Sequence, residues 1–250
     1  MKGLFSFNKM FASVMMVAGL MMFQSCSDDD GYNYAMVFPN ALVTVKPIDN
    51  KSFFLQLDDS TTLLPVNVTS SPYGDREVRA LVNCQLVNEP SEGYDKAVHI
   101  NWIDSILTKT IAPDLDLNND SVYGNDPVEI VNDWVTIAED GYLTLRFRTR
   151  WGGQNSKPHY VNLLASQDPN NPYEVEFRHN AYGDVYGKPA DGLVAFKLDA
   201  LPDTQGKTVK LKLKWKSFSG NKSVDFNYCT RKSTPATAEI AAERSVLKLQ

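Results

Sequence analysis

Val128-Glu-Ile-Val-Asn-Asp-Trp-Val-Thr-Ile-Ala138, then Glu139-Asp140-Gly141, then Tyr142-Leu-Thr-Leu-Arg-Phe-Arg-Thr-Arg150 is the stretch that decides how this chain folds. Two β-prone runs flank an Asp-Gly pair, and Asp-Gly accepts the positive φ angles that a tight hairpin turn demands. The second run alternates: Leu145, Phe147 and Thr149 fall on one face, Arg146, Arg148 and Arg150 on the other. Period-two alternation is the mark of a strand with one face buried.

Working outward, the same texture recurs. Tyr160–Ala165, Tyr173–Arg178, Gly192–Leu198, Thr208–Trp215 and Lys222–Cys229 are short β-branched and aromatic runs between clusters of Asn, Asp, Gly and Pro. With the opening pair they make seven strands over residues 126–230, a number and spacing that predict an antiparallel β-sandwich. Lys210, Lys212, Lys214 and Lys216 alternate with Val209, Leu211, Leu213 and Trp215, a basic face that could hold anions or acidic glycans or, as a solvated face, block edge-to-edge aggregation.

Toward the N-terminus lie Ala41–Lys46, Ser52–Leu57, Thr61–Val68 interrupted by Pro65, Glu77–Val87 and Lys96–Lys109. Five strands in residues 40–115, with no helix among the first three, fit a small barrel. Periodicity is lost after Ile106, which puts the boundary near Asp116–Asn125. The expected architecture is all-β, barrel then sandwich. Residues 231–250 read as a tail, weakly ordered or helical.

The first 25 residues carry Lys2 and Lys9 and an apolar run from Met10 to Phe23, too short for a permanent span, so they read as a signal peptide. Cys26 follows at the boundary, where lipoprotein processing needs its thiol for the acyl anchor. Ser27, Asp28, Asp29 and Asp30 resemble the acidic surface-export tag of Bacteroidales lipoproteins, or make a solvated linker over 26–39. The expectation is a lipid-anchored protein on the outer membrane, facing the exterior. The chain's net charge of −5 argues against nucleic acid as a partner. Cys84 and Cys229 lie far apart, and Cys84 shares a strand face with Ala80, Val82 and Leu86, so a buried thiol is expected rather than a disulfide.

Few patterns carry chemistry. Asp114, Asp116, Asn118 and Asp120 alternate oxygen side chains as calcium loops do, yet the Gly and Glu that such a loop needs are replaced by Asn119 and Asn125. Calcium is therefore a weak candidate, and otherwise no cofactor is expected. His99, His159 and His179 are scattered, without metal-ligand spacing. No nucleophile with its base can be nominated, so no enzyme is expected. Arg146, Arg148 and Arg150 could hold acidic groups, or simply be solvated; Trp151, before Gly152-Gly153-Gln154-Asn155, could stack on a sugar, or plug a sheet corner.

Cys26-Ser-Asp-Asp-Asp30, Asn40-Ala-Leu-Val-Thr-Val45, Phe54-Leu-Gln-Leu-Asp-Asp59 and Val98-His-Ile-Asn-Trp-Ile-Asp-Ser-Ile-Leu-Thr-Lys109 together resemble the NigD-like lipoproteins, and the resemblance runs to about Tyr228. It implies an OB-type first domain, a β-sandwich second domain, and a bacteriocin-immunity-like role without known catalytic residues. The expected function is non-enzymatic binding of, or shielding against, a protein partner at the cell surface. The alternative is a glycan-binding accessory lipoprotein that uses the Arg146–Trp151 face.

Overall fold

Residues 36–49, 51–153 and 157–231 are described by the computed structural model. The signal segment, Cys26, the Ser27–Asp30 run, Gln154, Asn155 and the tail after Arg231 lie outside the described residues.

Strands β1 (Ala41–Asp49), β2 (Ser52–Gln56), β3 (Thr62–Pro65), β4 (Val78–Leu86) and β5 (Lys96–Ser105) close into a barrel in the order β1-β2-β3-β5-β4. Its interior is filled by Val43, Val45, Leu55, Val82, Val98 and Ile100. Pro65 ends β3, because it has no N–H to continue the ladder. The expected continuation Val66–Val68 is instead tied side-on to β5: the Val66 N–H donates to the Val98 carbonyl at 2.9 Å, and Asn67 both donates to and accepts from the Ile100 backbone at 2.8 Å. A register shift between Asn83 and Cys84 breaks the face expected to run to Leu86. Ala80 and Val82 are buried, Cys84 is half-buried and Leu86 is exposed.

The run expected as one strand to Lys109 divides at Ile106. The Ile106 N–H still reaches the Arg79 carbonyl of the barrel, at 2.8 Å. From Leu107 onward the backbone forms β6 (Leu107–Thr110), which pairs in parallel with Val194–Lys197 in the second half of the chain. The barrel is still touched, but by a side chain, the Thr108 hydroxyl accepting the Arg79 N–H at 3.2 Å, while the backbone pairing passes to β12.

The second half contains β7 (Glu129–Ile130), β8 (Ile137–Glu139), β9 (Tyr142–Trp151), β10 (Tyr160–Ala165), β11 (Glu174–Asn180), β12 (Lys188–Lys197), β13 (Val209–Ser217) and β14 (Gly220–Tyr228). One sheet runs β10-β11-β13-β14; the other runs β6-β12-β9-β7, with β8 also on β9. The strand count rises from the expected seven to nine for two reasons. One is β6. The other is a turn inside Val128–Ala138, where the Thr136 N–H donates to the Asp133 carbonyl and the Thr136 hydroxyl donates to the Val131 carbonyl. Two pairings, β6 with β12 and β11 with β13, are parallel, so the sandwich is not purely antiparallel. Leu143, Leu145, Leu163, Phe177, Phe196, Leu211 and Leu213 from both inner faces form its core, each side chain worth about 1.5–3 kcal/mol of burial.

The segment 116–125, expected as a bare boundary, holds a 3₁₀ turn (Asp116–Asn118) and a short helix α1 (Asn119–Tyr123) resting against β10 and β11. Tyr123 is buried and its hydroxyl donates to the Pro113 carbonyl at 2.8 Å. Gly124 follows at φ 77°, where a Cβ would lie 2.5 Å from the His179 carbonyl oxygen, so only glycine fits.

Barrel and sandwich belong to one compact unit. Leu42 and Ile106 from the barrel side pack with Val135, Tyr142 and Ala195 from the sandwich. The Glu139-Asp-Gly141 turn, with Asp140 at φ 46° and Gly141 at φ 73°, is pressed into this joint.

Candidate functional sites

The arginine strand is answered by carboxylates of the chain itself. β12 lies beside β9 in a register that sets Asp191 opposite Arg148. Arg148 grips Asp191 with two nitrogens, Nε to Oδ1 at 2.5 Å and Nη2 to Oδ2 at 2.9 Å. Arg146 reaches Asp191 at 2.6 Å and Asp133 at 2.8 Å. The hydrogen bonds from Arg148, then Arg146, pull the Asp191 carboxyl down to about 2. Arg150 donates to the Gly187 carbonyl. Two guanidinium groups, those of Arg146 and Arg148, thus meet two carboxylates in a ladder, while Arg150 is held by a carbonyl.

At the end of β9 the chain builds something different. Trp151 stacks on His159, ring centres 4.6 Å apart and planes 19° apart, and remains 42% exposed. The His159 side chain beneath it is sealed; its Nδ1 faces His179 Nε2 at 2.8 Å and its Nε2 lies 3.4 Å from Asp184. Burial, then the neighbouring His159, pushes His179 down to about 4, against the pull of Asp126. Sequence gave no sign of this pair, since residues 159 and 179 meet only through the β10–β11 pairing. Asp184 accepts the Gly152 N–H at 2.9 Å and the Gly153 N–H at 2.6 Å, tying the loop after β9 to the loop before β12. Gly187 abuts the Trp151 carbonyl so closely that any Cβ would overlap it. From these joined loops Tyr182, Val185 and Tyr186 also face solvent, Tyr186 at 89% exposure.

The joint between barrel and sandwich holds a buried ionic network. Lys46 meets Asp140 at 2.8 Å, and Arg79, fully buried, meets Glu139 at 2.6 Å while donating to Thr44 and Thr144. Arg231 grips Glu77 with both terminal nitrogens and also contacts Asp140. Tyr142 donates to Glu77 at 2.5 Å. Burial, assisted by Glu77, pushes the Tyr142 phenol far up. Burial also lowers Lys46 against the pull of Asp140. Beside the network a cleft of about 480 Å³ opens between Asp58, Asp59 and Ser60 of the barrel and Ile137–Glu139, Phe226 and Asn227 of the sandwich. The network fastens one half of the chain to the other, and the one hydroxyl described in it against a carboxylate, that of Tyr142 on Glu77, belongs to a fully buried residue.

The calcium candidates do not converge. Asp114 accepts from the Asp116 N–H and from Asn119 Nδ2, while Asp120 pairs with Arg178 at 2.5 Å. Among the described residues no three His, Cys, Asp or Glu side chains are placed to hold a metal ion. Cys84 and Cys229 are free thiols, Cys229 accepting from the Thr204 hydroxyl. His99 is exposed on β5.

Residues 42–106 match the NigD-like N-terminal OB domain, and residues 110–228 match the NigD-like C-terminal beta sandwich domain. The chain belongs to the NigD-like family. Its two matched regions meet at Ile106 and Leu107–Thr110, where the strand passes from barrel to sandwich. Among solved structures, a protein of Parabacteroides distasonis named as toxin-related is 35% identical, with TM-score 0.65, covering 82% of this chain and 97% of its own. A NigD-like immunity protein of Bacteroides caccae shares the fold at 21% identity and TM-score 0.54, covering 74% of this chain and 90% of its own. A protein of Bacteroides fragilis named as a lipoprotein does so at 14% identity and TM-score 0.51, covering 77% and 98%. No curated protein matches. Among the described residues no helix is long and apolar enough to cross a membrane.

Proposed function

We propose that this NigD-like protein is a non-enzymatic lipoprotein, anchored through Cys26 to the outer membrane and facing the exterior, which binds a protein partner in an immunity-like role. One observation carries the reading: Trp151, Tyr182 and Tyr186 stand exposed on two loops that Asp184 and Gly187 hold together. Tyr and Trp on a rigid frame supply large contact area at small entropic cost, and they dominate the energetics of protein interfaces. The neighbouring ladder of Arg146 and Arg148 with Asp191 and Asp133 supplies a polar rim. The same ladder occupies the Arg146 and Arg148 guanidinium groups that an acidic glycan would use, leaving Arg150 with a carbonyl partner.

The test is capture. Immobilised wild type and a Trp151→Ala/Tyr186→Ala variant are exposed to outer-membrane extract, to bacteriocin-containing culture supernatant and to a glycan array. A protein retained by wild type, and at least tenfold less by the variant, supports the proposal. Glycan retention lost in the same variant, with no protein retained, moves the site to the glycan alternative.

A further inference from the structure

Among the described residues the sandwich leaves one long strand edge open. Among the described strands β14 pairs only with β13, and it ends its sheet. Its backbone orientation follows from β13. The Lys212 N–H is engaged by the Tyr173 carbonyl and the Lys216 carbonyl by the Val128 N–H, both on the side away from β14. The cross-strand pairs Lys212/Asp225 and Lys216/Asn221 therefore exchange no hydrogen bonds with each other. By alternation Asn221, Ser223, Asp225 and Asn227 turn their N–H and carbonyl groups outward, a row of four donors and four acceptors over nearly the whole strand.

What lies beside that row is shaped for side chains. Val224 and Phe226 sit opposite Leu213 and Leu211, so they face the interior, yet Val224 is 39% exposed and Phe226 is only partly covered. Across the gap stand Ile137 and Ala138 of β8, whose other edge is taken by β9. At the barrel end the gap widens into the 480 Å³ cleft, bounded by Asp58 and Asp59. Glu139 there is already matched by Arg79, whereas among the described residues no ion pair engages Asp58 or Asp59. Asp58 is held below the usual carboxylate range, against burial, by hydrogen bonds from Ser60 and Thr61.

We infer that the open edge of β14 is a docking strand for an extended segment of another protein, one that alternates apolar residues and carries a lysine or arginine at the end entering the Asp58–Asp59 cleft. Backbone pairing supplies affinity that is indifferent to sequence, while the half-covered strip of Val224, Phe226 and Ile137 and the carboxylates choose the side chains. Asn221, Lys222, Ser223 and Asp225 keep the edge soluble when it is empty. The inference uses none of the residues of the Trp151 platform and does not rest on it.

The experiment uses the full chain in detergent micelles and the probe acetyl-Lys-Val-Thr-Val-Thr-Val-Thr-Val-amide, labelled for anisotropy. Saturable binding is expected, with slowed hydrogen exchange at the amides of Asn221, Ser223, Asp225 and Asn227. Ser223→Pro, at a position whose N–H points outward, should weaken binding at least tenfold with little loss of fold. Should that variant unfold, a probe N-methylated at alternate amides makes the same test on wild type. A Glu-led probe should bind several-fold more weakly, and Asp58→Asn/Asp59→Asn should erase the difference. Binding untouched by Ser223→Pro and by N-methylation, or no binding at all, overturns the inference. A concentration-dependent dimer of the chain that Ser223→Pro abolishes also overturns it, by giving the edge to a second copy.

Discussion

Lys46, on the first barrel strand, and Asp140, in the hairpin turn of the sandwich, form a 2.8 Å ion pair in which both side chains are almost sealed from solvent, at 8% and 3% exposure. The pair is the meeting point of the two halves. Asp140 also receives Arg231, and its own N–H donates to Asp59 at 2.6 Å. Asp140→Asn keeps a residue that tolerates the positive φ while stripping Lys46 of its counter-charge. Breaking a buried pair from one side costs roughly 3–5 kcal/mol. The low end is expected, because burial has already lowered the Lys46 amine and lets it shed its proton. Lys46→Met should cost less, since Arg231 remains at 3.3 Å from Asp140. Urea unfolding measures both, and a wild-type midpoint for Asp140→Asn would remove the pair from any structural role.

The Asp-Gly hairpin was legible as a turn because Asp140 and Gly141 have the conformational freedom it requires, but its role as the plug of the interdomain joint was not. Turn chemistry is local; the partners Lys46, Glu77, Arg79 and Arg231 arrive from far along the chain, Lys46 from 94 residues before Asp140. The alternation of β9 and β13 was read correctly for the same local reason. It could not reveal that Asp191 sits opposite Arg148, since register between strands 43 residues apart is set by the whole sheet. The splitting of Lys96–Lys109 at Ile106 was hidden because Leu107–Thr110 stays β-prone while changing partners. His159 and His179 stand twenty residues apart in sequence, and only the β10–β11 pairing brings them to 2.8 Å.

Removing Asp191 should turn the balanced arginine ladder into the cationic face that sequence suggested. Asp191→Asn releases Arg148 fully and Arg146 from one of its two carboxylates. Retention on a sulfated polysaccharide column at low salt should rise clearly over wild type, whereas stability should change by less than about 1 kcal/mol because the pairs are solvent-screened. Equal retention of wild type and variant would show that the ladder does not mask charge.

Acid should weaken the fold through His179. Its value is about 4 in the folded chain against 6.5 as the ordinary value, so between these limits the unfolded chain binds a proton that the folded chain refuses. Stability from this group is therefore complete above pH 6.5 and falls as the pH drops, the loss reaching about 3 kcal/mol near pH 4. Asp191, held at about 2 by Arg148 and Arg146, contributes its own loss only at lower pH. His179→Gln should flatten the slope of unfolding free energy between pH 6.5 and 4, whatever its absolute stability. An unchanged slope in that variant would assign the acid sensitivity elsewhere.

The loops that present Trp151 and Tyr186 depend on one carboxylate. Asp184 is buried, accepts the N–H groups of Gly152 and Gly153, and faces His159 at 3.4 Å. Asp184→Ala leaves the two backbone donors of Gly152 and Gly153 without their acceptor. Water can take up those donors once the loops open, so the damage should be local. Hydrogen exchange at Gly152 and Gly153 should accelerate by more than tenfold, while the amides of Leu143 and Leu145, deep in β9, stay slow. If partner capture falls with the loop order, the platform works because it is rigid. If capture survives in a variant whose loops have opened, the aromatics bind by adapting, and the clamp serves the fold alone.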